Sequence, residues 1–117
     1  MMKYFLLPIV LVGFVSCSKD KVENVEPVDC VNEISFSSDV VTILNTSCAT
    51  SGCHNQSSAA AGYAFTTYES VEQNKDIILR TMEHEQGVTP MPIGQPKLNR
   101  ADIDKFYCWI EQGAPNN

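Results

Sequence analysis

Residues 99–115 read NRADIDKFYCWIEQGAP and carry the signals for both ends of one α-helix. Asn99 suits the N-terminal cap, and Asp102 lies three residues later in the first turn, where a carboxylate is favourable. An apolar stripe at helical spacing follows, formed by Ile103, Phe106, Tyr107 and Ile110. Because Gly113 and Pro115 stop helices, the pattern predicts a helix that ends close to Gly113.

A second helix is predicted upstream, in residues 37–48, which read SSDVVTILNTSC. Ser38 or Asp39 is the expected N-terminal cap, and the helix is expected to run to about Asn45. Its apolar side chains share one helical face: Val40, Ile43 and Leu44. Such a helix would place the region of Cys48 at its C-terminal end.

Residues 66–82, TTYESVEQNKDIILRTM, predict the remaining helix. Thr66 or Thr67 is the expected cap, and a break near Asn74 is an alternative to one continuous helix. The apolar positions are Tyr68, Val71, Ile77, Ile78 and Met82. The spacing is that of a helix with one buried face.

Loops are predicted between these helices. Residues 57–62 are rich in Ser, Ala and Gly, and residues 87–96, GVTPMPIGQP, contain three prolines and two glycines. Such a composition cannot form a regular helix. The chain shows no repeat and no strand pattern long enough to build a sheet. The expected fold class is therefore mostly α, a small domain of about three helices with long loops.

The first residues predict export. Residues 1–20, MMKYFLLPIVLVGFVSCSKD, place an uncharged and mostly apolar run between Lys3 and Cys17. This run is shorter than the roughly 20 residues that cross a bilayer, but it suits a secretory signal. The FVSC segment resembles a bacterial lipoprotein signal, in which Cys17 is lipidated; ordinary cleavage nearby is the alternative. We expect three parts: a signal peptide at 1–16, a lipid anchor and tether at 17–29, and a folded domain at 30–117.

Charge limits the possible partners. The formal net charge of the chain is −6, and it becomes −7 once Lys3 leaves with the signal peptide. An acidic surface without a basic cluster argues against nucleic acid. A partner with a positive patch is one explanation of this charge, and ordinary solubility of a folded domain is the other. The expected location is the bacterial cell envelope, with the lipid-anchored domain facing the periplasm or the cell surface.

Residues 45–56, NTSCATSGCHNQ, hold two cysteines with four residues between them and a histidine directly after the second. Five cysteines in an exported chain suggest disulfides, and the four that remain after lipidation allow three pairings. A disulfide, however, does not require His54. Zinc is the rival metal, but Cys48, Cys53 and His54 would need a fourth ligand. The candidates for that ligand are Cys30, Cys108, His84 and a carboxylate.

Covalent haem explains the residue types of this motif. Two thiols add to the vinyl groups of the porphyrin, and a histidine beside the second thiol binds iron through a neutral imidazole nitrogen. The usual motif has two residues between the cysteines, whereas here there are four, from Ala49 to Gly52. The two extra residues must bulge outward, and Gly52 supplies the backbone freedom for this bulge.

The domain resembles the small cytochrome c domains of the planctomycete type. The resemblance is carried in order by DVVTILNTSCATSGCHN, FTTYESV, MPIGQPKL and DIDKFYCWIEQGAPNN. In that family a cysteine pair with its histidine precedes an MPP loop and a closing helix that ends in WI..GA. The chain departs from the family in the four-residue spacing and at Ile93.

The resemblance implies one covalent haem c with a defined set of ligands. It makes Cys48 and Cys53 the thioether positions, His54 the proximal iron ligand and Met91 the distal ligand. The two prolines around Met91 also stiffen the backbone that presents this weak thioether ligand. Other possibilities for the sixth position are Met82, His84 and an open site.

With haem assigned to Cys48 and Cys53, Cys30 and Cys108 remain, and we predict a disulfide between them; two free thiols are the alternative. The expected function is electron transfer to and from redox partner proteins, not enzymatic catalysis, because two axial ligands leave the iron no substrate position. Two alternatives stay open. One is a haem enzyme with an open sixth ligand, such as a peroxidase, and the other is a non-haem lipoprotein interaction module held by disulfides.

Overall fold

The computed structural model describes residues 26–117. The predicted signal peptide, the lipidation site Cys17 and the tether before Glu26 lie outside the described residues. Three helical segments dominate the described part: Phe36–Val40 continuing as α1 (Val41–Ser47), α2 (Tyr68–Met82) and α3 (Arg100–Glu111). A single 3-10 turn covers Ala60–Gly62, and residues 26–117 contain no strand. The predicted mostly α fold of about three helices with long loops is confirmed.

The first helix begins earlier than predicted. Its cap is Ser35, not Ser38 or Asp39, and the first five residues, Phe36–Val40, form a π-helical turn. The Ser35 hydroxyl accepts a hydrogen bond from the Ser38 N–H at 3.4 Å, while the Asp39 carboxylate accepts one from the Ser35 N–H at 3.1 Å. The early start places Phe36 in the first turn of the helix, where its side chain is buried in the core.

Helix α2 begins after its predicted cap Thr67, whose hydroxyl accepts a hydrogen bond from the Ser70 N–H at 3.3 Å. The alternative of a break near Asn74 is wrong. The Asn74 side chain donates to the Ser70 carbonyl at 2.7 Å, one turn earlier, so its polar group is satisfied without leaving the helix.

Helix α3 agrees with its prediction at both ends. The Asn99 side chain accepts from the Asp102 N–H at 2.9 Å, and the helix ends at Glu111, before Gly113. Of the predicted stripe, Ile103 and Phe106 are fully buried.

The core lies between the three helices. Its largest fully buried side chains are Trp109, Phe106, Leu44, Met82, Ile103, Val40 and Val71. Phe36 packs against both other helices. Its ring centroid lies 5.1 Å from that of Tyr68 in α2 and 5.6 Å from that of Trp109 in α3. No helix within residues 26–117 has the length and apolar character of a membrane span.

The ends of the described chain are fastened to this core. The predicted disulfide between Cys30 and Cys108 is present. The Gln112 side chain donates to the Asn32 carbonyl at 2.7 Å and accepts from the Ile34 N–H at 2.9 Å. Asn117 accepts from two backbone N–H groups at the start of the first helix. The segment before the first helix is thereby held against α3.

Candidate functional site

The second half of α2 and the loop after it form one wall of an apolar cavity of about 310 Å³. The end of α1 and the segment that follows the cysteine motif form the other wall. The lining includes Cys48, His54, Tyr63, Phe65, Ile77, Ile78, Met82 and Met91. This size lies at the lower end of the range of small-molecule sites. Three of the four haem-binding positions implied by the resemblance thus face one cavity, and the fourth, Cys53, is exposed.

The cysteine motif forms a closed turn. The His54 N–H donates to the Cys48 carbonyl at 3.0 Å, which joins the two ends of the loop. Inside it, the Cys53 N–H donates to the Thr50 carbonyl at 3.0 Å. Gly52 adopts φ +81°, in the left-handed region, as its place in an outward bulge requires. Residues 49–52 therefore belong to a loop whose two ends are joined by the hydrogen bond between His54 and Cys48.

The two motif cysteines have different environments, and neither belongs to a disulfide. Cys48 is buried next to the cavity, whereas Cys53 is exposed. Burial, together with the nearby Cys53, raises the pKa of the Cys48 thiol from its ordinary value of 9.0 to about 11. Cys48 is consequently a protonated, weakly nucleophilic thiol at neutral pH.

One ring nitrogen of His54 has a hydrogen-bond partner, and the other keeps a free lone pair. The His54 Nδ1 lies 2.9 Å from the carbonyl oxygen of Tyr63. A carbonyl can only accept, so Nδ1 carries the proton and Nε2 of the neutral ring keeps its lone pair. Metal-binding histidines are commonly oriented in this way. The Phe65 ring packs against the imidazole in a tilted arrangement, with ring centroids 4.7 Å apart, and the Phe65 N–H donates to the His54 carbonyl at 2.9 Å.

Sequence reasoning did not identify Tyr63 and Phe65. Their approach to His54 depends on Ala59 and Ala61, which adopt φ +39° and +54° and turn the chain back. Alanine rarely takes these values, so its presence gives no signal of a turn. A Tyr-x-Phe pair shortly after the motif was the available clue.

Met91 reaches the cavity from the proline-rich loop. Its N–H donates to the Thr81 carbonyl at 3.0 Å, which fastens the loop to the last turn of α2. Of the other candidates for the sixth position, Met82 lines the cavity but is a core side chain with 1% exposure. His84 does not line the cavity; its Nε2 lies 3.1 Å from the Met91 carbonyl oxygen. The cavity thus faces Met91 and Met82, while His84 has another partner.

This arrangement gives little support to the alternative of a zinc site at Cys48, Cys53 and His54. The disulfide between Cys30 and Cys108 uses two of the candidate fourth ligands. Among residues 26–117, no three His, Cys, Asp or Glu side chains gather as a metal site would require.

A larger cavity of about 970 Å³ lies between residues 26–34 and the start of α3. It has no histidine or methionine in its lining, and its two cysteines form the disulfide. Several of its charged side chains form ion pairs, such as those of Glu83 with Lys97 at 2.7 Å and with Arg100 at 2.8 Å. The chemistry of the smaller, apolar cavity therefore defines the candidate site.

Comparisons with known proteins find no matching family, no similar curated protein and no similar solved structure.

Proposed function

We propose that this chain is a monohaem c-type cytochrome that transfers electrons and is anchored by lipid in the bacterial cell envelope. One observation carries the proposal: Cys48, His54 and Met91 line the same apolar cavity, although up to 43 positions separate them in the chain. A thiol, an imidazole and a thioether around an apolar space are the donors that a covalently attached haem requires.

The residues present fit this cofactor. Cys48 and Cys53 would hold haem as thioethers, His54 would bind iron through Nε2, and Met91 would bind it from the proline-rich loop. When bound, haem supplies an iron that exchanges one electron between two oxidation states. The Tyr63 carbonyl fixes the tautomer and the orientation of His54, and Phe65 packs against its ring.

Electron transfer is favoured over catalysis because His54 and Met91, which line the same cavity, would both be available to bind the iron. A peroxidase-like activity needs an open or displaceable sixth position, and Met91 is held at its backbone on both sides by hydrogen bonds. The negative charge of the chain fits redox partner proteins with positive surface patches. Lipidation of Cys17 would keep the domain close to membrane-bound partners.

Covalent attachment of haem tests the proposal. The chain is co-expressed with a cytochrome c maturation system, denatured, and stained for haem that stays with the polypeptide. We expect one haem per wild-type chain and none on the Cys48→Ala/Cys53→Ala double variant, because thioether bonds survive denaturation and non-covalent haem does not. Single variants at each cysteine measure the contribution of each thiol.

The matched control is the Cys30→Ala/Cys108→Ala variant, which loses two cysteines elsewhere and should keep its haem. A colourless wild-type protein from the same cells would overturn the cytochrome proposal and favour the non-haem interaction module.

A further inference from the structure

We propose that His84 is a positioning residue that holds Met91 in place as the distal ligand, an inference that rests on the proposed haem function. The imidazole of His84 does not enter the cavity. It acts on the backbone of the loop that presents the methionine, and so controls how readily the thioether leaves the iron.

The contact is a hydrogen bond with a defined donor. The His84 Nε2 lies 3.1 Å from the Met91 carbonyl oxygen. Because that oxygen can only accept, Nε2 carries a proton and donates it. On the other side of the same residue, the Met91 N–H donates to the Thr81 carbonyl at 3.0 Å. Both backbone polar groups of Met91 are therefore fastened to the end of α2.

The backbone at His84 supports a role beyond packing. Glu83 is the C-terminal cap of α2, so His84 occupies the following position, which is usually glycine because the chain turns left-handed there. His84 indeed adopts φ +54°. Glycine would meet this requirement without strain but would provide no donor for the loop. Non-glycine residues in this backbone region are concentrated at functional sites and ligand clamps, so the conformation of His84 adds to the evidence of its hydrogen bond.

The ion pair of Arg80 and Glu85, at the same end of α2, does not involve Met91. Arg80 Nε lies 2.9 Å from a Glu85 carboxylate oxygen, in an exposed ion pair. The two residues adjoin the turn that contains His84 but contact each other, so they provide a matched control for damage to the helix end.

The experiment compares holoproteins with covalent haem: wild type, His84→Gly, His84→Gln, Glu85→Gln and Met91→Ala. Three properties of the oxidised proteins are measured. These are the sulfur-to-iron charge-transfer absorption, the dissociation constant of added azide, and the hydrogen-exchange rate of the Met91 amide. Urea unfolding of each variant is recorded in parallel.

We expect His84→Gly to bind azide about five- to tenfold more tightly than wild type, the factor that one lost hydrogen bond gives. Its Met91 amide should exchange faster, while its resistance to urea should be equal or higher because glycine relieves the strained backbone. Glutamine can extend a donor to a similar distance, so His84→Gln should restore most of the wild-type azide affinity. Glu85→Gln should match wild type, and Met91→Ala should lose the charge-transfer absorption.

A His84→Gly protein with wild-type azide affinity and wild-type Met91 exchange would overturn the inference. His84→Leu, which keeps bulk but cannot donate, gives a second measurement and should follow His84→Gly. Failure of the underlying proposal has a different signature, since the wild-type chain would then carry no covalent haem at all. An unchanged charge-transfer absorption in Met91→Ala would show that another group is the distal ligand.

Discussion

At the scale of single residues, the hydrogen bond from His54 to Tyr63 decides what the imidazole can do. It occupies Nδ1 and so presents Nε2. The acceptor is a backbone carbonyl, which every residue possesses, and for this reason the side chain at position 63 gives no sequence signal for the contact. The motif drew attention to His54 in the sequence, whereas the hydrogen-bond partner of His54 depended on the path of the chain.

The buried thiol of Cys48 predicts a loss of stability at alkaline pH in the haem-free protein. Its pKa is about 11 in the folded state, raised by burial and by Cys53, against 9.0 ordinarily. The stabilisation is fully present below pH 9 and is lost as the pH rises towards 11, because the unfolded chain releases this proton first. We expect a loss of about 2–3 kcal/mol from this group across that range.

Urea unfolding of wild type and Cys48→Ala at several pH values between 7.5 and 11 measures this effect. The variant starts less stable but should fall less steeply, since it has no thiol to titrate. Cys53→Ala retains the Cys48 thiol, so its stability should still fall steeply as the pH rises. Parallel curves for wild type and Cys48→Ala would contradict the prediction.

At the scale of helices, the sequence predicted the helix ends best where capping residues flank an apolar stripe of helical spacing. Helix α3 has Asn99 at one end and Gly113 at the other, and both ends were predicted. The start of the first helix was misplaced because Ser35, Ser38 and Asp39 are all good caps, and the choice among them depends on the burial of Phe36. Tertiary packing, which local propensity does not contain, made that choice.

The contacts of Asp39 at the start of the first helix predict that Asp39→Asn lowers the stability of the fold at neutral pH. The hydrogen bond from the Ser35 backbone, and then Lys105, lower the pKa of the Asp39 carboxyl. The ionised form therefore stabilises the fold above pH 4, and this contribution is lost as the pH falls through the lowered pKa. We expect Asp39→Asn to cost about 1 kcal/mol at pH 7, the typical net contribution of one hydrogen bond.

Chemical unfolding at pH 7 and pH 3 separates this effect from a general loss of packing. The difference between wild type and Asp39→Asn should shrink at the lower pH. Lys105→Met removes only the contact between Lys105 and Asp39 at 3.2 Å and should have the smaller effect. A difference that stays constant with pH would contradict the assigned role of the carboxylate.

At the scale of the whole molecule, covalent and polar links connect the two ends of the domain. The Cys30–Cys108 bond spans 78 positions, and Gln112 and Asn117 add hydrogen bonds from the last part of the chain to residues 32–37. This fastening matters because a domain of about 90 residues with a solvent-accessible cavity has only a limited core. The cysteine count alone did not choose among the possible pairings, whereas the assignment of Cys48 and Cys53 to haem, which the resemblance implies, left Cys30 and Cys108 for the disulfide that is present.

Loss of this disulfide should destabilise the protein by about 4 kcal/mol, the value for a closed loop of this length. Urea unfolding of wild type and Cys30→Ala/Cys108→Ala measures it. Reductant should weaken the wild type and leave the double variant unchanged, because only the former contains a bond to reduce. Equal sensitivity of both proteins to reductant would contradict the prediction.

Trp109 is the only tryptophan of the chain, and it is fully buried with its indole N–H donating to the Pro115 carbonyl at 2.9 Å. Its fluorescence therefore reports on one known position. In the folded state the emission should be blue-shifted, and unfolding should move it to longer wavelengths as water reaches the indole. In the haem-loaded protein the porphyrin would also quench this emission by energy transfer, so the rise in intensity on unfolding would signal the separation of α3 from the cofactor.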